Sequence, residues 1–277
     1  MANKKITELF PVATMTSTDV IPIVTDVSTV PVTKKISGLN LATFFRNIFK
    51  NEYVNADGWI PANETWTYVS ANSFSISGNV TYKYQKGDKL KLGQSGTKYF
   101  YVTDVTYSAP NTIVTVTGGS DYTLANAGIS LNYFSKVENP YGFPASFNYA
   151  VSWTASVTNP AIVNGTLNGR FKVRGNFCLV QIYLIYGTST TSGSGDWRFS
   201  IPLAVSSLAA PRAIGIADVR DASINNYVRM CILDSSATYI TTFKQLDSAT
   251  NLNSLTGTSP ITFGNGDSVA IQIEYEI

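Results

Sequence analysis

Apolar and polar side chains alternate over residues 59–133, which predicts β-strands with one buried face. The clearest runs are residues 81–84 and residues 89–92, where Tyr or Leu alternates with Thr or Lys. Gly, Pro, Asn and Asp separate such runs at spacings of roughly 8–12 residues, as small β-barrels and β-sandwiches require. The middle of the chain therefore predicts a series of short strands joined by hairpin turns.

The pattern of residues 145–277 predicts a second β-domain. Residues 177–186 are almost continuously apolar, interrupted by Gln181, which is typical of a central strand covered on both faces. Residues 271–277 alternate cleanly and predict a terminal strand with one buried face. The Ser, Thr and Gly of residues 188–195 predict a flexible loop tip.

Residues 1–36 predict an extended arm. The short apolar bursts in this segment contain Pro11, Pro22 and Pro31, which disfavour both a helix and a central strand. Such a segment cannot bury its Ile and Val side chains by itself. We therefore expect it to lie on another surface, either that of its own oligomer or that of a host structure.

Residues 37–50 predict a short helix. Their apolar residues recur at spacings of three and four, which places most of them on one helical face. Ser37 precedes them as the predicted N-cap. An apolar helix face next to an extended arm fits packing about a symmetry axis, and packing against the next domain explains it nearly as well.

The composition is that of a folded β-rich protein with a weakly charged surface, since 44% of residues are hydrophobic and 14% are charged. The formal net charge of +2 argues against a nucleic-acid binder, which would carry a large basic excess. Residues 51–144 carry six Lys and no Arg, whereas residues 145–277 carry six Arg and two Lys. This change favours a domain boundary near Pro144.

The chain contains no histidine, which excludes Ser-His-Asp and Cys-His nucleophilic sites and histidine-ligated zinc. Cys178 and Cys231 lie in apolar runs, so we expect buried free thiols. A disulfide is the alternative, although it would be unexpected in a reducing cytoplasm. No apolar leader follows Met1, and no apolar run approaches the ~20 residues of a membrane span. We therefore expect a protein made in the cytoplasm and not inserted into a membrane.

No residue pattern indicates catalysis, a metal or a cofactor. Ser95 and Lys98 have the spacing of a serine–lysine acylating site, but they bracket a predicted hairpin turn. A glycosidase needs two carboxylates facing one sugar, and here the acids are scattered. These acids are Glu64, Asp88, Asp104, Asp121, Asp196 and Asp234. Asp218 and Asp221 lack the compact spacing of a calcium loop.

Aromatic residues of the C-terminal domain are the candidates for ligand binding, because flat rings stack on the apolar faces of sugars. The candidates are Trp153, Tyr183, Trp197, Tyr227 and Tyr239. Most of them are expected in the core or at a subunit interface. Tyr227 and Tyr239 have polar sequence neighbours, which favours exposure in loops, where recognition residues are common.

The order of the hairpins in the middle of the chain resembles a module of tailed-bacteriophage fibres and other virion structural proteins. The resemblance is carried by residues 87–92, 97–102, 111–117, 118–124 and 139–144. The N-terminal sequence resembles the attachment segment of phage fibres. The resemblance is carried by Ile-Thr-Glu-Leu, then Thr-Asp-Val-Ile-Pro-Ile-Val and then Thr-Lys-Lys-Ile-Ser. The C-terminal domain is more loosely similar to the β-sandwich heads of such fibres, through short motifs at residues 165–171, 175–182, 197–202 and 266–269.

The patterns and the resemblance together predict an all-β protein in three parts. Residues 1–50 are the virion-attachment arm with its short helix, and residues 51–144 are a collar domain, either a barrel or a sandwich. Residues 145–277 are a jelly-roll-like sandwich head. The resemblance also implies a homotrimer. A physical argument agrees, because two small, weakly charged β-domains and an apolar arm that cannot bury itself would bury more apolar surface by assembling about a symmetry axis.

The resemblance implies a non-enzymatic virion protein without a cofactor or metal. Its arm would bind other virion structural proteins, and its head would bind a bacterial surface glycan or protein through many weak contacts. Attachment is assigned to Ile6, Leu9, Ile21, Ile23, Val24 and Ile36, and receptor contact to Tyr227 and Tyr239. A head fibre, capsid decoration or baseplate adaptor without a receptor role is one alternative. A depolymerase of surface polysaccharide is the alternative of another class.

Overall fold

The computed structural model describes residues 16, 18–25, 32–52, 57–206, 212–223, 226–234, 237–240, 242–245 and 254–277. Strands dominate these described residues, which contain one helix, so the predicted all-β class is confirmed. The chain forms two units, residues 1–60 and residues 61–277. Among the described residues, no helix is both long enough and apolar enough to cross a membrane.

The arm contains a β-hairpin. Strand β1 (Val20–Thr25) pairs antiparallel with strand β2 (Val32–Ser37), and Ile21 lies opposite Ile36. Each strand has one neighbour, so each is an edge strand. This agrees with the prediction that the prolines of the arm exclude a central strand.

Helix α1 (Gly38–Glu52) follows β2 directly. The Ser37 hydroxyl accepts a hydrogen bond from the Asn40 backbone N–H at 3.2 Å, which confirms the predicted N-cap. Part of the apolar helix face is exposed, namely Leu39, Phe44 and Phe45.

Seven strands form an open sheet over residues 60–135. They are β3 (Ile60–Pro61), β4 (Thr67–Ser70), β5 (Ser73–Ser77), β6 (Lys89–Gly93), β7 (Thr97–Ser108), β8 (Asn111–Thr117) and β9 (Ser130–Ser135). Their order is β3-β9-β6-β7-β8-β5-β4. Strands β3 and β4 are therefore the two edges, and the described strands do not close into a barrel, which was one of the two predicted alternatives.

The period-two pattern of this sheet places one face in a core. Leu90 and Leu92 of β6 and Val114 of β8 are buried, and polar residues alternate with them. Trp66 and Phe74 are fully enclosed and stack with ring centroids 4.4 Å apart. The alternation therefore predicted the buried face of these strands correctly.

Residues 81–84 form a turn and not the predicted strand. The Asn79 carboxamide oxygen accepts hydrogen bonds from the backbone N–H and the hydroxyl of Thr81, at 3.2 and 2.8 Å. Such a local side-chain bond competes with extended pairing. Tyr84 then reaches the core from the turn and contacts Phe134, with ring centroids 5.3 Å apart.

Ten further strands form the C-terminal half. They are β10 (Phe147–Tyr149), β11 (Trp153–Ala155), β12 (Thr166–Arg174), β13 (Phe177–Ile185), β14 (Trp197–Ser200), β15 (Arg212–Arg220), β16 (Asn226–Asp234), β17 (Tyr239–Ile240), β18 (Thr242–Gln245) and β19 (Ser268–Glu276). The larger sheet has the order β10-β12-β13-β19-β15-β16-β18, and the smaller has the order β11-β14-β17. Phe171 and Val180 of the large sheet share one core with Trp197 and Phe199 of the small sheet. The predicted sandwich is therefore confirmed.

Strand β13 differs from the prediction of a central strand covered on both faces. One face is buried through Cys178, Val180, Ile182 and Leu184. On the other face Tyr183 is 43% exposed. An apolar run alone cannot distinguish a strand with two covered faces from a strand whose second face is open.

The loop of residues 188–195 is held by its neighbours and is not the predicted flexible tip. Thr158 and Ser194 exchange two backbone hydrogen bonds, of 3.1 and 2.9 Å. The indole N–H of the buried Trp197 donates to the Ser192 carbonyl at 2.9 Å. The Ser and Gly composition indicated flexibility, but a second loop satisfies these backbone groups.

The open sheet and the sandwich contact each other within the second unit. Tyr101 of the open sheet and Phe147 of the sandwich are both fully buried, and their ring centroids lie 5.3 Å apart. Phe143 lies 5.0 Å from the first ring and 5.5 Å from the second. The predicted boundary near Pro144 therefore falls inside an aromatic cluster. That each side folds as a separate domain stays a prediction.

Candidate functional site

The outward face of the large sandwich sheet forms a groove of about 910 Å³. Its walls come from the neighbouring strands β12, β13, β19 and β15, with Asn148 of β10 at one end. The opposite face of these strands carries the core of the sandwich. The side chains that line the groove alternate along each strand with those of the core, and they point to the opposite face of the sheet. We call this surface the sheet groove.

A row of three polar side chains crosses the floor of the sheet groove. Arg170, Gln181 and Gln272 lie opposite one another on three adjacent strands. The Arg170 Nε–H donates to Gln181 Oε1 at 2.8 Å, and Gln181 Nε2 donates to Gln272 Oε1 at 2.9 Å. These bonds orient all three planar groups before any ligand arrives. We call this row the amide ladder.

A second row of polar groups lies beside the amide ladder. Asn168, Tyr183, Ala270 and Asp218 are opposite one another across the same strands. The tyrosine ring is 43% exposed, and the aspartate is half-buried. Within the described part of the chain, the side chains of Asn168, Tyr183 and Asp218 form no hydrogen bond or ion pair. This row therefore offers an amide, a phenol and a carboxylate to the groove.

The far wall of the sheet groove is apolar. Ile214 and Ile216 on β15 are 63% and 61% exposed. Ile216 lies directly opposite Gln272, at the end of the amide ladder. Polar and apolar groups therefore meet along one line, and a ligand with both characters would match both walls.

The sheet groove carries one more acidic group than basic groups. Its lining contains the cationic Arg170 and the acidic Asp218 and Glu274. Asp218 lies on β15, the strand of the apolar wall, and Glu274 lies on the neighbouring strand β19. The Arg170 guanidinium is held in the amide ladder. This arrangement has no cationic cluster for a polyanion.

The structure places the two predicted receptor tyrosines outside the lining of the sheet groove. Tyr227 lies on β16 opposite Val219, is half-buried and contacts the sandwich core. Tyr239 lies on β17, is half-buried, and stacks with the Arg198 guanidinium 5.0 Å from its ring centroid. Both are therefore less exposed than expected, because each belongs to a strand and not to a loop. Their contact with a receptor stays a prediction.

The predicted attachment residues are only partly described. Ile21, Ile23, Val24 and Ile36 lie on the two strands of the arm hairpin. Ile6 and Leu9 lie outside the described residues. Their role in attachment stays a prediction.

The acids considered for catalysis make separate local contacts. Glu64 accepts hydrogen bonds from Lys83 at 2.6 Å and from the Tyr84 hydroxyl at 2.9 Å. Asp88 is buried and bonds to Lys136 at 2.9 Å. In the described part of the chain, no three Asp, Glu or Cys side chains lie close enough together to hold a metal ion.

Part of the chain is similar to a curated phage protein. Over 132 residues it is 28% identical to the Mu-like prophage FluMu defective tail fiber protein of Haemophilus influenzae, a match that covers 47% of this chain and 20% of that protein. The chain is thus similar to part of a tail-fibre protein. It spans about a fifth of the length of this curated relative. The similarity supports a tail-fibre-like protein at the level of the family alone.

Two further comparisons found nothing: no family model matches the chain, and no solved structure matches it.

Sequence reasoning missed the sheet groove, although one signal was present. Gln181 interrupts an otherwise apolar run, and the structure shows that this residue is the centre of the amide ladder. Tyr183 belongs to the group of C-terminal aromatic residues of which most are predicted from the sequence to lie in the core or at an interface. Tyr183 lies two residues after Gln181 on the same strand, so both side chains lie on the same outward face.

Proposed function

We propose that this chain is a structural component of a phage tail fibre. Its N-terminal arm attaches to other virion proteins, and its C-terminal sandwich faces the host surface. The similarity to a tail-fibre protein is the observation that carries this proposal. The all-β fold, in which an open sheet and a sandwich share an aromatic cluster, is consistent with a structural role.

We propose the sheet groove as the surface that contacts the host. It lies on the sandwich, at the opposite end of the sequence from the arm, and it presents oriented polar groups to solvent. Recognition through many copies would make weak single contacts effective. Tyr227 and Tyr239 stay proposed receptor contacts as predicted, but both lie outside the groove, because Tyr227 packs against the sandwich core and Tyr239 lies on the small sheet.

The location on the particle tests the structural role. Antibodies raised against the purified chain are applied to phage particles that carry it and are observed by electron microscopy. Labels on tail fibres support the proposal. Labels confined to the capsid or to the baseplate would instead assign the chain to a head fibre, a decoration protein or an adaptor.

Adsorption tests the host contact. The purified chain is added to host cells before the phage, and reduced phage adsorption is expected if both use one receptor. The release of new reducing ends from capsule or lipopolysaccharide by the chain would instead assign it to the depolymerases.

We also propose that the chain is a homotrimer. The exposed apolar residues Leu39, Phe44 and Phe45 of α1 give a face that self-assembly would cover. Light scattering on the intact chain measures this directly, and a mass near three copies of 30.0 kDa is expected. A mass of one copy would contradict it.

A further inference from the structure

We propose that the sheet groove binds an uncharged saccharide through the amide ladder and Tyr183. This inference rests on the proposed host contact and names the chemistry of its ligand. Hydrogen bonding, the apolar surfaces and the charges of the groove all support it.

The sheet groove supplies oriented hydrogen-bond donors and acceptors. Gln272 Oε1 already accepts a hydrogen bond from Gln181, so the Nε2 group of Gln272 is directed away as a donor. Arg170 uses its Nε–H on Gln181 and keeps its terminal N–H groups for a ligand. Asp218 supplies an acceptor, and Asn168 supplies both kinds of group. A sugar hydroxyl donates and accepts at once, so a row of hydroxyls matches this mixture.

The sheet groove also pairs polar with apolar surfaces. A pyranose ring has hydroxyls at its edge and C–H groups on its faces. The exposed Tyr183 ring can lie against those C–H groups, while the amide ladder bonds the hydroxyls. Ile214 and Ile216 cover further C–H surface along the far wall. The volume of about 910 Å³ lies near the upper end of ordinary ligand sites and fits more than one sugar ring.

The charged groups of the sheet groove disfavour two other occupants. An anion such as phosphate would face Asp218 and Glu274 as well as Arg170. The apolar surface of another protein, including a second copy of this chain, would bury Asp218 and Arg170 without enough polar partners. An uncharged ligand with many hydroxyls satisfies these groups and introduces no charge of its own.

The test is a titration of the full chain with defined probes. The probes are purified neutral oligosaccharides of glucose, galactose, mannose, rhamnose and N-acetylglucosamine, with inorganic phosphate as the anionic control. Binding is measured by saturation-transfer NMR and by the change in Tyr and Trp fluorescence. At least one neutral oligosaccharide is expected to bind with a Kd in the millimolar range or below, and phosphate is expected not to compete.

Two variants locate the binding in the groove. Tyr183→Ala and Gln272→Ala are each expected to weaken binding about tenfold, as the loss of one ring or one hydrogen bond implies. Tyr107 is 43% exposed, as Tyr183 is, but lies on the open sheet, so Tyr107→Ala is the matched control. Gln85→Ala is the control for the glutamine. Both controls are expected to bind as the unchanged chain does.

Two results would overturn the inference. One is the absence of binding to every neutral oligosaccharide at millimolar concentration. The other is binding that Tyr183→Ala and Gln272→Ala leave unchanged while unfolding in urea shows that both variants remain folded. The proposed host contact has a separate readout, because the chain could still block phage adsorption through a protein receptor. Failure to block adsorption would count against the host contact itself.

Discussion

Asp121 binds Asn148 through two hydrogen bonds, one from the backbone N–H at 2.8 Å and one from the side-chain amide at 2.9 Å. The aspartate follows β8 of the open sheet, and the asparagine lies on β10 of the sandwich. The Asn148 carbonyl in turn accepts a hydrogen bond from the Ser120 N–H at 2.8 Å. A turn of one sheet therefore pairs with the first strand of the other, beside the shared aromatic cluster.

Asp121→Ala is expected to lower the free energy of unfolding by about 1–2 kcal/mol, because both hydrogen bonds from Asn148 lose their acceptor. Unfolding in urea followed by Trp fluorescence measures this change. Asp104→Ala is the control, since Asp104 accepts a hydrogen bond from the hydroxyl of Thr106, on its own strand. An equal loss in the two variants would mean that the contact between the sheets adds nothing.

Gly87 and Gly78 give a matched test of the close approach between the two halves. Their φ angles are 86° and 85°, so an added methyl group strains both backbones equally. A Cβ on Gly87 would lie 2.3 Å from the Gly175 carbonyl oxygen of the sandwich, whereas a Cβ on Gly78 would have no heavy atom within 4 Å.

Gly78→Ala is therefore expected to cost about 1–2 kcal/mol of unfolding free energy from strain alone. Gly87→Ala is expected to cost roughly 3 kcal/mol or more, because backbone atoms of both halves must move apart. The same urea experiment measures both. Equal costs would show that the two halves separate easily at this contact.

Cys178 and Cys231 are expected to be unreactive in the folded protein. Both thiols are buried and free, and burial raises the pKa of each to about 12. At pH 8 roughly one thiol in ten thousand would be the reactive thiolate. A colorimetric thiol reagent should therefore detect no thiol in the native chain and two after unfolding in guanidinium.

Tyr82→Cys provides the positive control for this assay, because Tyr82 is 85% exposed. That added thiol should react immediately in the folded chain. Rapid reaction of Cys178 or Cys231 in the unchanged native protein would contradict the buried placement of these residues.

Asp88→Asn is expected to change how stability depends on pH. Burial raises the pKa of Asp88 above its ordinary value, and the bonds from Lys136 and the Gln85 N–H offset this only in part. The folded state thus binds the Asp88 proton more tightly than the unfolded state does. Stability from this group is highest at low pH and falls as the pH rises through the window between the unfolded pKa and the raised folded pKa.

The variant lacks this titration, so its stability relative to the unchanged chain should rise across that window. Urea midpoints measured at intervals from about pH 3 to pH 7 test this, since an unfolded Asp titrates near pH 4. Asp104→Asn removes an equal charge from an exposed position and controls for net charge. A difference between Asp88→Asn and the unchanged chain that is constant with pH would contradict the raised pKa.

Features that depend on local chain chemistry could be predicted from the sequence. The all-β class, the buried faces of β6 and β8, the helix N-cap at Ser37 and the hairpin turn at Ser95 all follow from periodicity, capping or turn residues. The free state of the two buried cysteines followed from the apolar runs around them. The prediction of a strand at residues 81–84 was wrong. The sequence alternates there as a strand does, but a local hydrogen bond to the Asn79 side chain holds the backbone in a turn.

Only the tertiary structure decided where strands meet and which second faces stay open. Gln181 and Gln272 are 91 residues apart in sequence, and they touch because β13 and β19 pair in one register. A shift of one residue would send Gln272 into the core and Ile273 into the sheet groove. Periodicity tells which residues of a strand share a face, because that depends on the backbone of the strand alone. The partner across the sheet is chosen by the packing of the whole sandwich, and so the candidate binding surface exists only once the chain has folded.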